Sequence, residues 1–237
     1  MIKLEKKESI YFLTMDAGEN RWNTTFVREI AKALDTIEDD EGQGALITSS
    51  TDSKFFSNGL DLEWMQAPED HPDRGDREVF GEEFMYLMGR FITLPIPTVC
   101  ALNGHTFGAG FMFALSHDFR IMREDRGFIC ANEMQLGLPI PRPELALFKH
   151  KIPANAFFET VQLSKRWTGT DALKAGIVQG LSSVEKLPEA AQRKAEELAP
   201  LSNNRKNFGH QKEMLYGENA AINLAHGPAH MLKNSKK

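Results

Sequence analysis

The chain has 237 residues, of which 41% are hydrophobic and 26% are charged. This composition predicts one domain with a sizeable core, and the sequence contains no apolar run of about 18 residues that could span a membrane. The net charge is −5, with +4 in residues 186–237 and −9 in the rest of the chain. A net-acidic chain is a poor candidate for general nucleic-acid binding. An enzyme, a binding module and a scaffold all stay possible.

Cysteine usage and the chain ends indicate a compartment. Cys100 and Cys130 lie in apolar runs without disulfide or metal-ligand spacing, so we expect buried free thiols and reducing surroundings. The charged start, MIKLEKKESI, has no apolar signal segment, and the closing NSKK differs from the peroxisomal SKL address. We therefore expect a cytoplasmic protein.

The first part of the chain predicts a strand pair, a helix and a buried strand. Residues 2–5 and 9–15 alternate or run apolar between polar neighbours, as in paired strands. Asn23 can cap a helix that ends in the acidic run 38–41. Residues 45–48 are typical of a short buried strand. The apolar residues at helical spacing are Phe26, Ile30, Leu34 and Ile37.

Further along, glycines separate strands from helices. Residues 55–61 (FFSNGLD) predict a strand end, a turn and a helix start. A surface loop is expected at 67–77, and a helix at 78–93. Next come predicted strands at 98–102, 119–122 and 127–130, a fully buried helix at 108–117, and a mostly helical stretch over 142–232. This alternation predicts an α/β fold.

Two turns could carry chemistry: residues 55–61 and 103–118 each place small residues where a strand meets a helix. Backbone N–H groups there lack intrahelical partners, and two of them aimed at one point would form an oxyanion hole. Alternatively, each glycine could be required only for the backbone conformation of its turn. Dinucleotide, phosphate-loop, HExxH and GxSxG signatures are absent from the sequence. His105 and His117 are expected to cap or make polar contacts.

Glu133 is the third candidate element, because it is the sole ionised side chain between Gly127 and Arg142. Its neighbours are apolar, so burial is expected to raise its pKa and suit it to a general base. An exposed loop glutamate is the alternative from spacing alone.

Three segments together resemble the crotonase family, also called the enoyl-CoA hydratase/isomerase superfamily. They are residues 54–62 (KFFSNGLDL), residues 97–110 (PTVCALNGH through GAG) and residues 132–138 (NEMQLGL). The resemblance covers roughly residues 1–185 and implies a spiral of ββα units, with domains at 1–190 (spiral core) and 191–237 (helical trimerisation region).

The resemblance also implies roles for residues of these segments. The N–H groups of Asn58 and Ala109 would hold an acyl-thioester carbonyl, and Glu133 would be the catalytic acid–base. Substrate and coenzyme A contacts would come from Ser57, Gly59, Leu60, Asp61, Gly108 and Asn132. The acyl pocket would include Phe107, Met112 and Met134. No metal and no cofactor beyond substrate coenzyme A is implied.

One departure from the family pattern narrows the choice of reaction. Hydratases of the family carry a second glutamate where this chain has Met112. On a helix Ala109 and Met112 share a face, and a thioether cannot move a proton. The pattern is therefore similar to Δ3,Δ2-enoyl-CoA isomerases of fatty-acid β-oxidation, in which one base moves a proton between two carbons. Glu144 follows in sequence, but its register differs from that of catalytic acids in the family.

Alternatives stay open at this point. A hydrolase, decarboxylase or hydratase of the same family could use the same oxyanion hole, and a non-catalytic RNA- or CoA-binding protein could use the same fold. A homotrimer or a dimer of trimers is expected. The basic tail suggests that Arg205, Lys206 or Lys212 approaches the coenzyme A phosphates.

Overall fold

The fold begins with an antiparallel pair of strands. The structure is a computed structural model that describes residues 1–68, 70, 74–217 and 232–234. Strand β1 (Ile2–Lys7) pairs with β2 (Ile10–Met15), as the alternating sequence predicts. Alternate residues of β2 are fully buried, among them Leu13 and Met15. The outer strand β1 is mostly exposed, so the hairpin forms an edge of the sheet.

A larger sheet of six strands grows from this hairpin in the spatial order β1–β2–β3–β5–β7–β9. All pairs beyond β1 and β2 are parallel. The added strands are β3 (Ala45–Ser50), β5 (Thr98–Leu102), β7 (Phe119–Arg123) and β9 (Gly180–Ser182). Buried residues dominate β3, β5 and β7, as expected of parallel strands that are covered on both faces.

A smaller parallel sheet has the order β4–β6–β8. Its strands are β4 (Phe55–Ser57), β6 (His105–Phe107) and β8 (Ile129–Cys130). The chain visits the two sheets in turn, β3 then β4, β5 then β6, and β7 then β8, with helical segments before it returns to the larger sheet. This arrangement confirms the crotonase-like spiral of ββα units.

The helices enclose both sheets. Asn23 caps α1 as predicted, because its side-chain oxygen accepts a hydrogen bond from the Phe26 N–H at 2.9 Å. The loop expected at 67–77 is shorter, since α3 begins at Arg74. The helices are α1 (Thr24–Glu38), α2 (Leu62–Gln66), α3 (Arg74–Ile92), α4 (Ala109–Leu115), α5 (Arg142–Lys151), α6 (Ala154–Val161), α7 (Gly169–Lys174), α8 (Leu187–Leu198) and α9 (Arg205–Tyr216). Short 3-10 helices cover Glu133–Leu136 and Ala199–Ser202.

The main core lies between the sheets and helices α1, α3 and α4. Trp22 is fully buried at its centre, with its ring edge-on to Phe26, Phe84 and Phe113 at centroid distances of 4.9, 4.9 and 5.1 Å. Edge-to-face aromatic pairs add about 1 kcal/mol beyond burial. This packing fixes α4, which is buried over Gly110–Leu115 as predicted, against the small sheet.

A second core covers the other face of the larger sheet. Ala191 and Ala195 of α8 pack there against Ile47 and Val99. The domain boundary predicted between 190 and 191 falls inside α8, and this helix is part of the spiral's own core. Residues 218–231 and 235–237 of the expected C-terminal region lie outside the described residues. Within the described residues, no helix is long and apolar enough to cross a membrane.

Candidate active site

The three candidate segments meet at one edge of the small sheet. Residues 58–60 follow β4, residues 108–109 follow β6, and residues 132–133 follow β8. These strands are parallel and adjacent, so their carboxyl ends lie side by side and the three segments come together. Segments separated by about 25 to 50 residues in sequence thus become neighbours, as the sequence predicts.

Gly59 lets two of these segments touch backbone to backbone. Its φ is +81°, and a Cβ built there would lie 2.9 Å from the Phe107 carbonyl oxygen and 3.8 Å from the Ala109 nitrogen. A side chain at this position would therefore be strained in φ and would push the two loops apart. The turn brings the residue after Gly59 next to the start of α4.

The Asn58 N–H is not available to a ligand, and its predicted place in an oxyanion hole is wrong. It donates to the Glu19 carbonyl oxygen at 2.9 Å, and the Asn58 side-chain amide donates to the Glu19 carboxylate at 2.7 Å. These two contacts fix residue 58 to the preceding loop. A backbone donor already paired in this way cannot also stabilise a developing oxyanion.

Leu60 offers the replacement donor. The parallel bridge between Trp22 and Leu60 uses the Gly59 carbonyl, at 2.8 Å from the Trp22 nitrogen, and the Asp61 N–H, at 2.9 Å from the Trp22 oxygen. The Leu60 N–H between them has no acceptor within the described residues. Leu60 also lines a cavity between the three segments. The donor is therefore two residues further along than the sequence suggests.

Ala109 supplies a second free N–H. It is the first residue of α4, where N–H groups have no intrahelical acceptor. The first hydrogen bonds of the helix run from the Phe111 and Met112 N–H groups to the Gly108 carbonyl, at 2.8 and 3.1 Å. No acceptor for the Ala109 N–H occurs in the part of the chain that the structure describes. Gly108 has a φ of +47°, and a Cβ built there would lie 3.2 Å from Glu133 Oε1. The glycine thus leaves space beside the carboxylate.

Glu133 is held on the 3-10 helix that follows β8. Its Oε2 atom is buried without a hydrogen-bond partner among the described residues. Burial raises the pKa of this carboxyl group, as expected from its apolar neighbours. A carboxylate with one unpaired buried oxygen and a raised pKa, beside two free N–H groups, is suited to take a proton from a bound carbonyl compound.

A cavity of about 420 Å³ joins these groups. Its apolar wall comes mainly from α3, α4 and the segment after Glu133: Leu60, Leu62, Phe80, Phe84, Met85, Met112, Leu136, Leu138, Pro139 and Pro141. The polar side chains that line it are Arg21, Asn58, Asn132, Glu133 and Glu144. An apolar cavity with a few convergent polar groups is the usual form of a small-molecule site.

Met112 lines this cavity, as predicted for the acyl pocket, but Phe107 and Met134 do not. The Phe107 ring lies in a cluster with His105 and Phe55, at centroid distances of 5.1 and 6.4 Å. Met134 projects outward from the 3-10 helix and is 37% exposed. These two residues therefore lie outside the cavity that Glu133 lines, and their place in an acyl pocket stays a prediction.

Ser57 and Asp61, predicted as coenzyme A contacts, use their side chains for the fold. The Ser57 hydroxyl is buried, accepts from the Trp22 indole N–H at 3.1 Å and donates to the Asn20 carbonyl at 2.7 Å. Asp61 caps α2 by accepting from the Trp64 N–H at 3.1 Å. Neither residue lines the cavity. The other predicted contacts, at Gly59, Leu60, Gly108 and Asn132, do line it.

Glu144 is the residue whose place the sequence does not reveal. It lies in the first turn of α5, is 6% exposed, and lines the same cavity as Glu133. Its Oε1 atom is buried without a partner among the described residues. Burial, and then the charge of Glu133, raise the pKa of Glu144 well above its usual range. The sequence signal was a glutamate after proline at a helix start, which is common on surfaces.

Two of the three α9 residues predicted to approach the coenzyme A phosphates make contacts within the fold, so their phosphate role stays a prediction. Arg205 donates to the Ile37 carbonyl at 2.7 Å, and Lys212 pairs with Asp118 at 2.7 Å. Both are buried. The Lys212 ammonium is committed to Asp118 and the Ile96 carbonyl, whereas Arg205 Nε and Nη1 have no hydrogen-bond partner among the described residues. Lys206 is exposed on the same helix, so its role stays a prediction.

The histidines and cysteines add no further site. His117 is buried between the Phe113 carbonyl and the Thr48 hydroxyl, both at 2.8 Å, and burial lowers its pKa to about 3. Cys100 and Cys130 are buried free thiols, as predicted. Among the described residues, no group of three or more His, Cys, Asp or Glu side chains could hold a metal ion.

The chain is similar to known proteins both in sequence and in fold. Residues 5–224 match the enoyl-CoA hydratase/isomerase family. The chain is 33% identical to peroxisomal enoyl-CoA delta isomerase 2 of Arabidopsis thaliana over 227 residues, which cover 94% of this chain and 95% of that protein. A probable enoyl-CoA hydratase of Mycobacterium tuberculosis superposes with a TM-score of 0.77 at 27% identity, covering 90% and 86% of the two chains. Human mitochondrial Δ3,Δ2-enoyl-CoA isomerase, at 23% identity, has the same fold, with a TM-score of 0.80 and coverage of 90% and 82%. The chain belongs to the enoyl-CoA hydratase/isomerase family.

Proposed function

We propose that the chain is an isomerase that shifts the double bond of a 3-enoyl-CoA to the 2-trans position, in fatty-acid β-oxidation. The observation that carries this proposal is the Glu133 carboxylate, with one unpaired buried oxygen, at a cavity where α4 presents Met112. The enoyl-CoA delta isomerases of Arabidopsis thaliana, at 32–33% identity, support the same reaction.

The first step depends on the two free N–H groups. The thioester carbonyl oxygen would accept from Leu60 and Ala109, which lowers the free energy of the enolate that forms when C2 loses its proton. Each such donor is worth about 3–4 kcal/mol in the transition state, because it is held in place before the reaction begins. The carbonyl is thereby positioned with C2 near Glu133.

The second step moves the proton. Glu133 takes the proton from C2, and the negative charge spreads over a dienolate whose oxygen stays at the two N–H groups. Glu133 then returns a proton to C4, which leaves the double bond conjugated with the thioester. Met112 stands where the hydratases of the family carry their second glutamate and cannot hold an attacking water there. This favours isomerisation over hydration, with Glu144 in the same cavity entering from a different element.

The reaction class is tested with two substrates. Purified protein is expected to convert 3-hexenoyl-CoA to the conjugated 2-trans product and to leave 2-hexenoyl-CoA unhydrated. Comparable hydration of the 2-enoyl substrate would contradict the proposal. Turnover of a different acyl-CoA with an inert 3-enoyl substrate would indicate a hydrolase or decarboxylase. Salt-dependent RNA affinity without acyl-CoA binding would indicate a non-catalytic protein.

The oxyanion hole has its own test at Ala109. Proline is tolerated at the first position of a helix, where the missing N–H has no intrahelical partner. Ala109→Pro should therefore remove one donor while α4 still forms, and lower kcat by about 10²–10³-fold. Ala109→Ser keeps the N–H and should stay within about tenfold of wild type. Equal activity of the proline and serine variants would exclude this N–H from the reaction.

Assembly and compartment remain predictions. A homotrimer or a dimer of trimers is expected, and exposed large apolar side chains support self-association: Phe158, Leu163 and Leu201 are 61%, 58% and 61% exposed. Sedimentation equilibrium should give a mass three or six times that of one chain, and a monomer at micromolar concentration would contradict it. The Arabidopsis thaliana relative is named peroxisomal, whereas we expect a cytoplasmic location for this chain. A targeting assay would decide between the two compartments.

A further inference from the structure

Two carboxyl groups from different elements face one apolar cavity. Glu133 enters it from the 3-10 helix after β8, and Glu144 enters it from the first turn of α5. Glu133 Oε2 and Glu144 Oε1 are both buried and have no hydrogen-bond partner within the described residues. Two carboxylates that each have an unpaired buried oxygen in an apolar cavity cannot both stay charged easily, because each loses hydration and repels the other.

Few cations are placed to relieve this charge. Arg21 is the one basic side chain that lines the cavity among the described residues, and it is paired with Glu19 at 2.8 Å. Helix α4, which packs on α5, carries no titratable side chain over Ala109–Leu115. On α6, the other helix packed against α5, Glu159 pairs with Lys165.

The cations of α5 itself lie mainly at its other end. Lys149, His150 and Lys151 occupy the last turn, far along the helix from Glu144. Arg142 begins the helix and is exposed to solvent. The helix N-terminus favours a negative charge at Glu144, but this effect is small beside the loss of hydration of a carboxylate that is 6% exposed.

We propose that Glu144 is the acid–base partner of Glu133, and that in the active enzyme the pair holds one proton, on Glu144. The proposal deepens the isomerase function and rests on it. Glu133 is then charged and acts as the base. When it takes the proton from C2, the pair carries two protons and no charge, and transfer of one proton to C4 restores the starting state.

The division of labour between the two residues follows from their surroundings. Glu144 is the more deeply buried of the two, and its pKa is raised both by burial and by the charge of Glu133. The pKa of Glu133 is raised by burial alone and is held back by a backbone hydrogen bond. As pH rises, Glu133 therefore ionises first. Loss of the Glu144 proton at higher pH places a second negative charge beside the forming dienolate and slows the reaction.

The proposal is tested by the pH profile of kcat/KM with a 3-enoyl-CoA. For wild type, kcat/KM should follow a bell-shaped pH profile, rising as Glu133 ionises and falling as Glu144 ionises. Glu144→Gln, a neutral amide of similar shape, should retain measurable turnover and lose the alkaline fall. Glu189→Gln is the matched control, because Glu189 also follows a proline in a first helical turn but is exposed. It should keep the bell.

A second measurement detects the proton on Glu144 directly, in the resting enzyme. Infrared spectra of the resting wild-type enzyme should show a protonated carboxyl band that persists at neutral pH and disappears at the pH of the alkaline fall. The band should be lost in Glu144→Gln and kept in Glu133→Gln. Absence of the band in wild type, an alkaline fall that survives in Glu144→Gln, or total inactivity of a folded Glu144→Gln would each overturn the proposal. If wild type does not isomerise 3-enoyl-CoA, the proposed function fails, while the band still reports on the shared proton.

Discussion

Glu133→Gln should lower kcat for 3-enoyl-CoA isomerisation by about 10³-fold, which corresponds to about 4 kcal/mol of barrier. The amide keeps the size of the carboxylate but cannot take a proton from C2. The two backbone donors are untouched, so KM should change by less than about threefold. The rate is followed by the absorbance of the conjugated 2-enoyl thioester. The acid limb of the wild-type profile should lie above the usual glutamate range, because burial raises the pKa of Glu133.

A control must disturb the same short helix without touching the carboxylate. Gln135 is exposed on the 3-10 helix, and its amide donates to the Ser164 carbonyl at 3.3 Å. Gln135→Ala should loosen that contact and lower kcat by less than about tenfold. If the two variants were equally impaired, the helix rather than the Glu133 carboxylate would account for the loss. An unimpaired Glu133→Gln would remove the proposed base altogether.

Most strands of the larger sheet and the order of the site segments were predictable from sequence because each rests on local patterns. Strand β9 was missed, since Gly180–Ser182 lies in the stretch predicted to be mostly helical. Buried strands such as Thr98–Leu102 are continuous apolar runs, and Gly59 and Gly108 mark turns between strands and helices. The small sheet was only partly visible. Its strands have two or three residues each. Such short strands cannot be predicted from hydrophobic periodicity.

The errors at the site come from contacts between distant residues. Whether the N–H of Asn58 or that of Leu60 is free depends on the loop at Glu19, which takes the Asn58 donor. Glu144 is visible as a glutamate, but its burial requires α5 to fold back over the cavity. Such tertiary placement leaves no trace in local composition.

Together, these contacts define what each element contributes to the proposed reaction. The small sheet aligns the three segments, glycine turns expose two N–H groups, and α3 and α5 close an apolar cavity around Glu133. Closure makes the base stronger, because desolvation raises its pKa. The same closure buries Glu144, so the cavity that activates one carboxylate also favours a proton on the other.

Lys212→Met is the second variant with a large expected effect, on stability rather than on catalysis. The Lys212 ammonium is buried, donating to Asp118 at 2.7 Å and to the Ile96 carbonyl at 3.1 Å. Removing one partner of a largely buried pair commonly costs about 3 kcal/mol, since the remaining carboxylate of Asp118, which is 24% exposed, loses its ion-pair partner. For a chain of this length we expect the apparent Tm to fall by roughly 6–12 °C in a thermal unfolding scan.

The same helix provides the control and separates two roles for the basic tail. Lys206 is exposed near the start of α9, and Lys206→Ala should leave Tm within about 1 °C of wild type, as is usual for surface substitutions. If Lys212 only joins α9 to β7 through Asp118, the methionine variant should keep its KM for acyl-CoA at temperatures where it is folded. A raised KM with unchanged Tm would instead place Lys212 at the coenzyme A phosphates. For Lys206 the logic is reversed, since a raised KM in Lys206→Ala would identify the exposed lysine as the phosphate contact, and an unchanged KM would end that prediction.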